Sequence, residues 1–347
     1  MAQKQLHIFL FFLINISLFS QSRYAGKITG IIRDAQTEAP LAYTNVFLAN
    51  TTIGDAADDK GAYILDNIPP GNYQLVVSRI GYQMPVQNVI VRAGRPIDLN
   101  INLQVKRIEG EEISVVGKKI TRAWKRNLRE FERYFLGETA NAARCTILNP
   151  EVLSFERESF TANLVATSDS IIVVENRALG YRLDIVLASF RWGALGGQYT
   201  IYPRYTELDP ENERQRTRWQ NNRQETYRRS MRGFFASLSR PDPFREYTVY
   251  QFKENGLSGS NRAVLLDSLN IVMLDSAHDI RRFDFSSAMQ VKRLDSHISN
   301  LNLKYDYIDF DKYGNIYPPD GVSVSGYWGQ FRVADTLPFD YRPEVEE

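Results

Sequence analysis

Apolar and polar residues alternate along residues 27–103 with the period of two that indicates β-strands exposed to solvent on one face only. The alternation is strictest in residues 97–103, where every second residue is Ile or Leu and the residues between them are Asp or Asn. Turn-forming segments such as Asp58-Asp59-Lys60-Gly61 and Pro69-Pro70-Gly71-Asn72 separate the alternating stretches. This pattern predicts about seven strands in a small antiparallel β-sandwich.

The second part of the chain mixes helical and strand periods. Residues 121–136 carry an apolar stripe at spacings of four and three residues, formed by Trp124, Leu128, Phe131 and Phe135. This stripe predicts an amphipathic helix that ends at Gly137, and a second stripe predicts one long helix over residues 209–238. In residues 153–206 the period returns to two and predicts a second antiparallel sheet. We therefore predict a mainly β protein with an α+β second domain.

The first 22 residues have the features of a secretory signal peptide. Lys4 supplies a positive charge, residues 6–19 form an apolar run, and Ser20-Gln21-Ser22 supplies small residues for cleavage. The run is too short for a stable membrane span, so we predict no transmembrane span after cleavage. We expect an exported protein, periplasmic, secreted or peripherally associated with the outer membrane. The predicted segments are 1–22 (signal peptide), 23–105 (sandwich), 106–120 (linker) and 121–347 (α+β domain).

Composition narrows the classes of partner and of chemistry. A length of 347 residues predicts about two domains. The net charge of +1 gives no global field that would recruit a polyanion, and we predict no nucleic-acid partner. The single cysteine, Cys145, cannot form an internal disulfide. We expect this thiol to be buried rather than to act as a nucleophile.

Several short motifs follow one another in a fixed order along the first part of the chain. They are Gly30-Ile-Ile-Arg-Asp34, Asp58-Asp59-Lys60-Gly61-Ala62-Tyr63, Pro70-Gly71-Asn72-Tyr73 and Ser78-Arg79-Ile80-Gly81-Tyr82. In order and spacing these motifs resemble the carboxypeptidase-regulatory-like (transthyretin-like) domain of outer-envelope proteins from Bacteroidota. The resemblance implies a seven-stranded Ig-like or prealbumin-like β-sandwich with a carbohydrate-binding-like fold.

Landmarks in the second part of the chain extend this resemblance. They include Leu179-Gly-Tyr181, Asn222-Arg223, Gly326-Tyr-Trp328 and Leu337-Pro338-Phe339-Asp-Tyr341. Together with the sandwich motifs they resemble secreted proteins named for their carboxypeptidase-like regulatory domain. The resemblance implies a family and a compartment, and it implies no reaction.

Candidate catalytic residues are few and poorly arranged. A zinc peptidase needs His and carboxylate ligands at spacings such as His-x-x-Glu, which His278 and His297 do not provide. The segment Gly256-Leu-Ser258-Gly-Ser260 lacks the second glycine of a nucleophile elbow. Asp309 and Asp311 could suit glycoside hydrolysis, but acids beside a turn are more often simply solvated. We therefore predict no catalytic residue, no metal site and no cofactor.

Three groups of side chains are candidates for binding. Four acids could supply oxygen ligands to Ca²⁺, although turn formation already explains Asp58 and Asp59: Asp55, Asp58, Asp59 and Asp66. Seven arginines could grip lipopolysaccharide phosphates or an acidic protein face, although a solvated helix face is the simpler interpretation: Arg214, Arg216, Arg218, Arg223, Arg228, Arg229 and Arg232. Two aromatic residues, Tyr43 and Tyr82, are expected to point outward and could stack on sugar rings. The residues we select as candidate contacts are Tyr43, Tyr82, Arg228, Arg229 and Arg232.

These observations favour a non-enzymatic, exported cell-envelope protein that acts as a binding or docking module for a partner protein or a glycan. The alternative is an envelope hydrolase that acts on glycan or peptide through a site in the second domain. The missing metal-ligand set and the missing nucleophile motif favour the binding function over hydrolysis.

Overall fold

The computed structural model describes residues 25–106, 120–194, 196–242, 245–254, 261–266, 269–276, 279–285 and 288–343. These residues divide into two compact units. Unit one contains residues 25–49 and 53–106, and unit two contains residues 50–52 and the described residues from 120 onward. The predicted signal peptide and most of the predicted linker lie outside the described residues. The domain boundaries given above therefore stay a prediction.

Unit one is a β-sandwich of two four-stranded sheets. Its strands are β1 (Gly26–Asp34), β2 (Asn45–Leu48), β3 (Gly54–Ala56), β4 (Ala62–Ile68), β5 (Gly71–Ser78), β6 (Val86–Val91), β7 (Ile97–Asp98) and β8 (Ile101–Leu103). One sheet has the order β4-β1-β7, with β8 also paired to β1, and the other has the order β3-β2-β5-β6. The prediction of a β-sandwich is confirmed.

Alternating side chains of both sheets form the core of this sandwich. Ile28 and Ile32 in β1 and Val46 and Leu48 in β2 are all fully buried, while Thr29 and Ile31 in β1 are partly exposed. Tyr63 is buried as well, and its hydroxyl donates to Leu99 O (2.8 Å). The inward faces predicted from the period of two are therefore confirmed.

The seventh predicted strand is divided in the structure, so the sandwich has eight strands. Its two parts, β7 and β8, both run parallel to β1. Between them the Asn100 side chain replaces a backbone acceptor, because its Oδ1 accepts the Ile31 N–H (2.8 Å). The side chain thus continues the hydrogen bonding of β1 across the interruption.

Unit two begins with one long helix and a six-stranded antiparallel sheet. The helix is α1 (Arg122–Leu136), and the strands are β9 (Cys145–Ile147), β10 (Leu153–Arg157), β11 (Leu164–Ser168), β12 (Ile172–Asn176), β13 (Tyr181–Gly193) and β14 (Gly196–Glu207). The sheet has the order β10-β11-β13-β12-β9, with β14 also paired to β13. Short 3-10 turns occupy Ala142–Arg144 and Pro150–Val152. The predicted second antiparallel sheet is confirmed.

Helix α1 begins and ends where the sequence predicts. The Thr121 side chain caps it by accepting the Trp124 N–H (3.1 Å), and Gly137 ends it with a φ of 101°. Phe131 and Phe135 are fully buried in the core beneath the sheet. The apolar stripe is thus the face that packs.

The predicted single helix over residues 209–238 is wrong, because the structure contains two helices. They are α2 (Glu213–Arg229) and α3 (Met231–Ser237). Ser230 separates them in an extended conformation, and its hydroxyl caps α3 by accepting the Gly233 N–H (3.1 Å). Ser is a preferred residue at helix N-termini, so the break has a local cause.

The C-terminal part of unit two contains two further sheets around a second core. Its strands are β15 (Tyr247–Glu254), β16 (Asn261–Leu265), β17 (Ile271–Asp275), β18 (Ile280–Asp284), β19 (Met289–Arg293), β20 (Ile298–Leu303), β21 (Tyr307–Phe310), β22 (Ile316–Tyr317) and β23 (Val322–Gly326). The sheet orders are β16-β15-β19-β20-β23 and β17-β18-β21-β22. Phe234 and Phe235 of α3 lie in this core. Two 3-10 turns, Trp328–Gln330 and Val333–Asp335, precede the C-terminal tail.

No helix among the described residues is both long enough and apolar enough to cross a membrane.

Candidate functional site

Four consecutive backbone carbonyls in the turn between β12 and β13 each accept a hydrogen bond from a side chain of α2. The pairs, donor first, are Trp219 Nε1 to Arg177 O (2.9 Å), Asn222 Nδ2 to Ala178 O (2.8 Å), Arg223 Nε to Leu179 O (2.7 Å) and Arg223 Nη2 to Gly180 O (3.1 Å). Hydrogen bonds are directional, so this set fixes both the position and the rotation of the helix.

The turn is shaped to present these carbonyls. Asn176 Oδ1 accepts the N–H groups of Ala178 and Leu179 (both 3.1 Å), which folds the chain back on itself. Gly180 has a φ of +69°, and a Cβ at this position would lie 2.3 Å from the Trp219 ring. Only glycine combines this backbone conformation with so close an approach of the indole.

Arg223 connects this turn to the end of β14. The residue is only 8% exposed, and its guanidinium lies 4.0 Å from the centroid of the Tyr181 ring. Its Nη1 is 3.2 Å from Glu207 Oε1, and the Glu207 side chain is 62% exposed. Burial raises the pKa of Tyr181 well above its usual range, so this hydroxyl stays neutral. The contact with Arg223 holds Glu207 in place while its carboxylate still faces solvent.

A second arginine, Arg232, holds the C-terminal tail. Its guanidinium donates to four backbone carbonyls, those of Tyr313 (3.0 Å), Pro338 (2.7 Å), Phe339 (3.1 Å) and Tyr341 (3.0 Å). Burial lowers the pKa of Arg232, although the group keeps its charge because arginine titrates far above neutral pH. By holding these carbonyls, Arg232 positions residues 340–342 of the tail beside α2.

A cleft of about 510 Å³ lies between α2, the end of β14 and this tail. Its volume is within the roughly 300–1,000 Å³ of small-molecule sites. The lining residues are mostly polar: Thr52, Tyr181, Glu207, Thr217, Gln220, Asn221, Arg223, Gln224, Pro338, Asp340, Tyr341 and Arg342. Thr52 belongs to unit two, so the whole cleft is formed within that unit. We take this cleft as the candidate site.

The tail side of the cleft is held by its own contacts. Asp340 accepts the Thr52 N–H (3.0 Å) and the Thr52 hydroxyl. The Tyr341 hydroxyl donates to Gln224 Oε1 (3.3 Å), and its ring lies against Tyr227 with centroids 5.9 Å apart. These contacts preorganise the acceptors and the ring of the tail before any ligand arrives.

The charges that line the cleft balance. Two carboxylates, Glu207 and Asp340, stand with two guanidiniums, Arg223 and Arg342. The α2 side adds the amides of Gln220, Asn221 and Gln224, which can both donate and accept hydrogen bonds. The lining contains no His or Cys. Such a surface can bind a polar molecule through many hydrogen bonds.

The predicted aromatic contacts, Tyr43 and Tyr82, lie in unit one and not in this cleft. Tyr43 is 73% exposed, and its hydroxyl donates to Asp59 Oδ1 (2.6 Å). Tyr82 is partly buried against the sandwich core, and its hydroxyl donates to Asp34 Oδ2 (2.9 Å). Backbone N–H groups of Thr37 and Gln36, together with this hydroxyl, lower the pKa of Asp34 to about 2. Ligand contact by either tyrosine stays a prediction.

The predicted arginine contacts have different surroundings from one another. Arg229 is exposed and pairs with Glu225 one helical turn earlier. Arg228 is partly buried, and its carbonyl accepts the Tyr247 hydroxyl (3.1 Å). Arg232 is committed to backbone carbonyls, as described above. Their role in binding an anionic partner stays a prediction, and only Arg229 of the three presents an exposed side chain.

The acids considered for Ca²⁺ are engaged in local turns. Asp58 Oδ1 accepts the N–H groups of Lys60 (2.8 Å) and Ala62 (2.9 Å). Asp55 accepts the Ile64 N–H (3.0 Å), and Asp66 accepts the N–H of the residue that follows it. Within the described ranges, no group of three or more His, Cys, Asp or Glu side chains is placed to hold a metal ion.

The remaining catalytic candidates have structural partners or lie outside the described residues. Ser258, Ser260 and His278 are outside the described part. His297 Nδ1 lies 2.9 Å from Asp295. The Arg282 guanidinium donates two hydrogen bonds to the Asp309 carboxylate (2.7 and 2.9 Å) in a bidentate ion pair.

Cys145 is partly buried and donates to Asn141 O (3.4 Å). Burial, with a smaller contribution from Asp335, raises the pKa of the Cys145 thiol to about 12. The group is therefore a neutral thiol at physiological pH and a poor nucleophile.

Sequence reasoning missed the residues of the cleft. Thr217, Gln220, Asn221 and Gln224 follow the helical spacing of three and four, so a polar stripe was visible in α2. The signal was weak because polar stripes are the ordinary solvent face of a helix. Asp340 and its neighbours lie more than a hundred residues further along the chain, and nothing in the pattern brings them to this stripe.

A larger cavity of about 870 Å³ lies in the C-terminal sheets of unit two. Its lining combines an apolar floor that includes Phe283 and Leu303 with polar residues such as Asn270 and Asp284. The Asn270 amide already donates to Asp284 (2.7 Å). Six of the residues that line the larger cavity are apolar, whereas Pro338 is the one lining residue of the smaller cleft without a polar side-chain group, so the smaller cleft is the better candidate for a polar ligand.

Comparison with known structures gives only remote likenesses. The pilus 2b backbone protein of group B streptococcus shares 18% identity over 23% of this chain and 41% of its own, with a TM-score of 0.21. A Bacteroides uniformis protein provisionally assigned to carbohydrate binding shares 9% identity over 87% of this chain and 99% of its own, with a TM-score of 0.20. The major pilin subunit of Bacillus cereus shares 9% identity over 82% and 94%, with a TM-score of 0.19.

TM-scores of this size do not establish a shared fold for the whole chain. The chain also spans only 41% to 62% of the length of the first four solved structures that it matches. A comparison with curated proteins gives no match.

The family comparison concerns the sandwich. The model of the CarboxypepD_reg-like domain matches residues 28–115, which contain nearly all of the strands of unit one. The motifs that suggested this resemblance lie within the matched residues. The N-terminal part of this chain, over residues 28–115, is a CarboxypepD_reg-like domain.

Proposed function

We propose that this chain is an exported, non-enzymatic cell-envelope protein whose second unit binds a glycan in the cleft beside α2. The observation that carries the proposal is the lining of the cleft. Amides, carboxylates, guanidiniums and tyrosine rings converge on one preorganised cavity of about 510 Å³. A glycan presents many hydroxyl groups, each able to donate and accept, on rings with an apolar face that can pack on an aromatic ring.

Export rests on the sequence alone. The apolar run of residues 6–19, which follows Lys4 and precedes Ser20-Gln21-Ser22, supports a cleaved signal peptide and an envelope location. N-terminal sequencing of the protein recovered from cell fractions tests this part. We expect an envelope-fraction protein that begins near residue 23. An unprocessed protein in the cytosol would contradict export.

A glycan array followed by calorimetric titration tests the binding function. We expect the purified protein to retain at least one glycan. The double variant Gln220→Ala with Asn221→Ala should weaken that binding by about tenfold or more, because it removes two amide groups that can each donate and accept hydrogen bonds. The matched control is Arg214→Ala with Arg218→Ala, which changes two exposed residues of the same helix that do not line the cleft. Equal losses in both variants, or no retained glycan, would contradict the proposal.

A hydrolase remains the second candidate, because Glu207 and Asp340 place two carboxylates in one cleft. Glycoside hydrolases use such a pair as acid and as base or nucleophile. Both carboxylates here already have protein partners, Arg223 and Thr52 respectively. Product release from peptidoglycan or envelope polysaccharide, abolished by Glu207→Gln, would favour hydrolysis over simple binding.

A partner protein is the other ligand class that the sequence leaves open. A pull-down from envelope extract, performed with and without the glycan found on the array, distinguishes the two. Under the proposal, the protein binds the glycan without help from a partner protein, and the Gln220→Ala with Asn221→Ala variant loses this glycan binding. If the pull-down retains a partner protein and the variant still binds that protein, the binding surface lies outside this cleft.

A further inference from the structure

We infer that the exposed face of α1, together with Phe160, docks the protein on an anionic membrane surface. This face carries a basic stripe of five exposed residues: Arg122, Lys125, Arg126, Arg129 and Arg133. They recur at spacings of three and four, so they share one side of the helix, opposite the buried Phe131 and Phe135. The stripe extends about 16 Å along the helix axis. None of these residues lines the cleft, so this surface is separate from the proposed glycan site.

The charge of the basic stripe is not neutralised by the helix itself. Helix α1 contains five cations and two acids, Glu130 and Glu132. Glu130 pairs with Arg157, and the pKa of the partly buried Glu132 is raised by burial and lowered by Arg129. Four cations of the stripe have no salt-bridge partner among the described residues: Arg122, Lys125, Arg126 and Arg129. The stripe therefore keeps a net positive charge that faces solvent.

The stripe differs from the arginines that organise the cleft. Arg223 and Arg232 direct their guanidiniums to fixed backbone carbonyls. The unpaired side chains of the stripe are exposed, and ordering them against a partner of defined shape would cost conformational entropy. A planar layer of anionic headgroups does not require one fixed rotamer, and each Lys or Arg near it is attracted. The pattern therefore favours a membrane surface over a shape-specific protein contact.

An exposed aromatic side chain lies on the turn between β10 and β11. Phe160 in this turn is fully exposed. The Glu158 carboxylate holds the turn together, because it accepts hydrogen bonds from the Arg191 guanidinium (2.7 Å) and the Asn163 amide (3.1 Å). The turn is thus fixed without the Phe160 ring, which is left free to enter an apolar environment.

Arg157 connects this turn to α1. Its Nη1 donates to Ala162 O (3.0 Å), and its Nη2 donates to Asn127 Oδ1 (3.2 Å) and pairs with Glu130. The turn that carries Phe160 is therefore held beside the helix that carries the basic stripe. Interfacial protein segments combine Lys and Arg, which meet lipid phosphates, with residues such as Phe, which enter the boundary between headgroups and acyl chains. This combination identifies the lipid surface as the partner.

Vesicle co-sedimentation with the purified protein tests the inference. One vesicle population contains phosphatidylcholine alone, and the other contains equal parts of phosphatidylcholine and phosphatidylglycerol. We expect binding to the anionic vesicles at low salt, a steep decrease as salt screens the charges, and little binding to the neutral vesicles. Equal binding to both populations, or binding to neither, would overturn the inference.

Charge variants of α1 locate the contact. Combining Arg122→Gln, Arg126→Gln and Arg129→Gln should weaken binding to the anionic vesicles by about a hundredfold, because three cations near the surface are removed. Lys at the same three positions keeps the charge and should retain most of the binding. A loss of binding in the Lys variant as large as in the Gln variant would mean that charge is not the cause.

The matched control removes three exposed arginines from α2, another exposed helix of the same unit. Its substitutions are Arg214→Gln, Arg216→Gln and Arg218→Gln. We expect vesicle binding within about threefold of that of the unchanged protein, because these residues lie outside the stripe. Equal losses in the α1 and α2 variants would refute a contact specific to the stripe. Glycan binding should persist in both, since none of the replaced residues lines the cleft, so failure of the proposed function is distinguishable.

The variant Phe160→Ala distinguishes a membrane from a soluble acidic partner. Loss of the ring should weaken vesicle binding by about tenfold, because an apolar side chain no longer leaves water. Polyglutamate, which offers carboxylates but no apolar layer, should bind the variant and the unchanged protein equally and more weakly than the vesicles do. If polyglutamate binds as tightly as the anionic vesicles and Phe160→Ala leaves vesicle binding unchanged, the stripe recognises an acidic protein and the inference is wrong.

Discussion

Helices α1 and α2 of unit two are held by different forces, although both pack beside the same sheet. Helix α1 buries Phe131 and Phe135, whose rings stack with centroids 4.6 Å apart in a cluster of aromatic side chains. Helix α2 is polar over most of its surface. Its contact with the turn of residues 177–180 includes four side-chain donors on four backbone carbonyls.

The two helices are held differently because α1 packs into the core, whereas α2 lines the cleft. A buried phenylalanine contributes about 1.5–3 kcal/mol with little directional preference. A net hydrogen bond contributes only about 0.5–1.5 kcal/mol, but it defines a direction. Helix α2 buries only two large apolar side chains, Trp219 and Tyr227, so it lacks a wide apolar stripe and the carbonyl contacts position it. Packing thus stabilises the unit, and polar anchoring places the site.

The strongest test of this contrast is Phe131→Ala in α1. The ring is fully buried and lies against Phe135, Phe155 and Phe190. Its removal should reduce the free energy of unfolding by about 3–5 kcal/mol, measured by chemical denaturation. Phe160→Ala is the control, because that side chain is fully exposed and should change stability by no more than about 0.5 kcal/mol. Similar small losses in both variants would mean that α1 is not held by packing.

The next test breaks the polar anchor of α2 through Arg223→Met. The change keeps the apolar stem but leaves the carbonyls of Leu179 and Gly180 and the Glu207 carboxylate without this donor. We expect a loss of about 1–3 kcal/mol in the free energy of unfolding, together with weaker glycan binding. The control Arg218→Met alters an exposed arginine of the same helix. Arg223→Lys should recover only part of the loss, because an ammonium cannot reproduce the planar fork.

The contrast also explains how much of the fold was predictable from sequence. The stripe of α1 and the alternation of the sandwich strands were visible because burial imposes a period on residue type. The anchor of α2 was not visible, because its acceptors are backbone carbonyls that every residue carries. Leu179-Gly-Tyr181 and Asn222-Arg223 were noticed as landmarks, but nothing in their residue types shows that one segment hydrogen-bonds to the other.

The candidate site was less predictable than the fold for the same reason. Its α2 side comes from a polar stripe that is indistinguishable from a solvent-exposed helix face. Its other side comes from Asp340 and Tyr341, which Arg232 holds through backbone carbonyls of the tail. Sequence reasoning selected Arg232 for its charge as a ligand contact. In the structure the Arg232 guanidinium instead donates to backbone carbonyls of the tail, a tertiary contact that the residue pattern does not show.

A pH titration tests whether the α1 region also depends on a polar contact. Asp335 is buried, and it accepts the Thr139 hydroxyl (2.9 Å) and the Asn141 amide (3.0 Å) just beyond the end of α1. Burial raises the pKa of Asp335 above 3.8. Its contribution to stability is therefore fully present below the unfolded pKa and is lost as the pH rises through the folded pKa. We expect the variant Asp335→Asn to lose this decline between pH 4 and neutral pH, measured as free energy of unfolding. An unchanged slope would mean that other groups set the pH dependence.

The smallest effect is expected from Arg229→Gln, at the end of α2. This arginine is exposed, and its charged partner Glu225 lies one turn away on the same helix. Pairs of this kind contribute about 0.3–0.5 kcal/mol, and salt screens them. Its backbone carbonyl accepts the Trp328 indole N–H (2.9 Å), and this contact survives the substitution, whereas the side-chain hydrogen bond to Tyr327 is lost with the Glu225 pair. Chemical denaturation should therefore show a loss of no more than about 1 kcal/mol, and less in high salt. A loss as large as that of Arg223→Met would mean that surface charge, and not the carbonyl anchor, holds α2 in place.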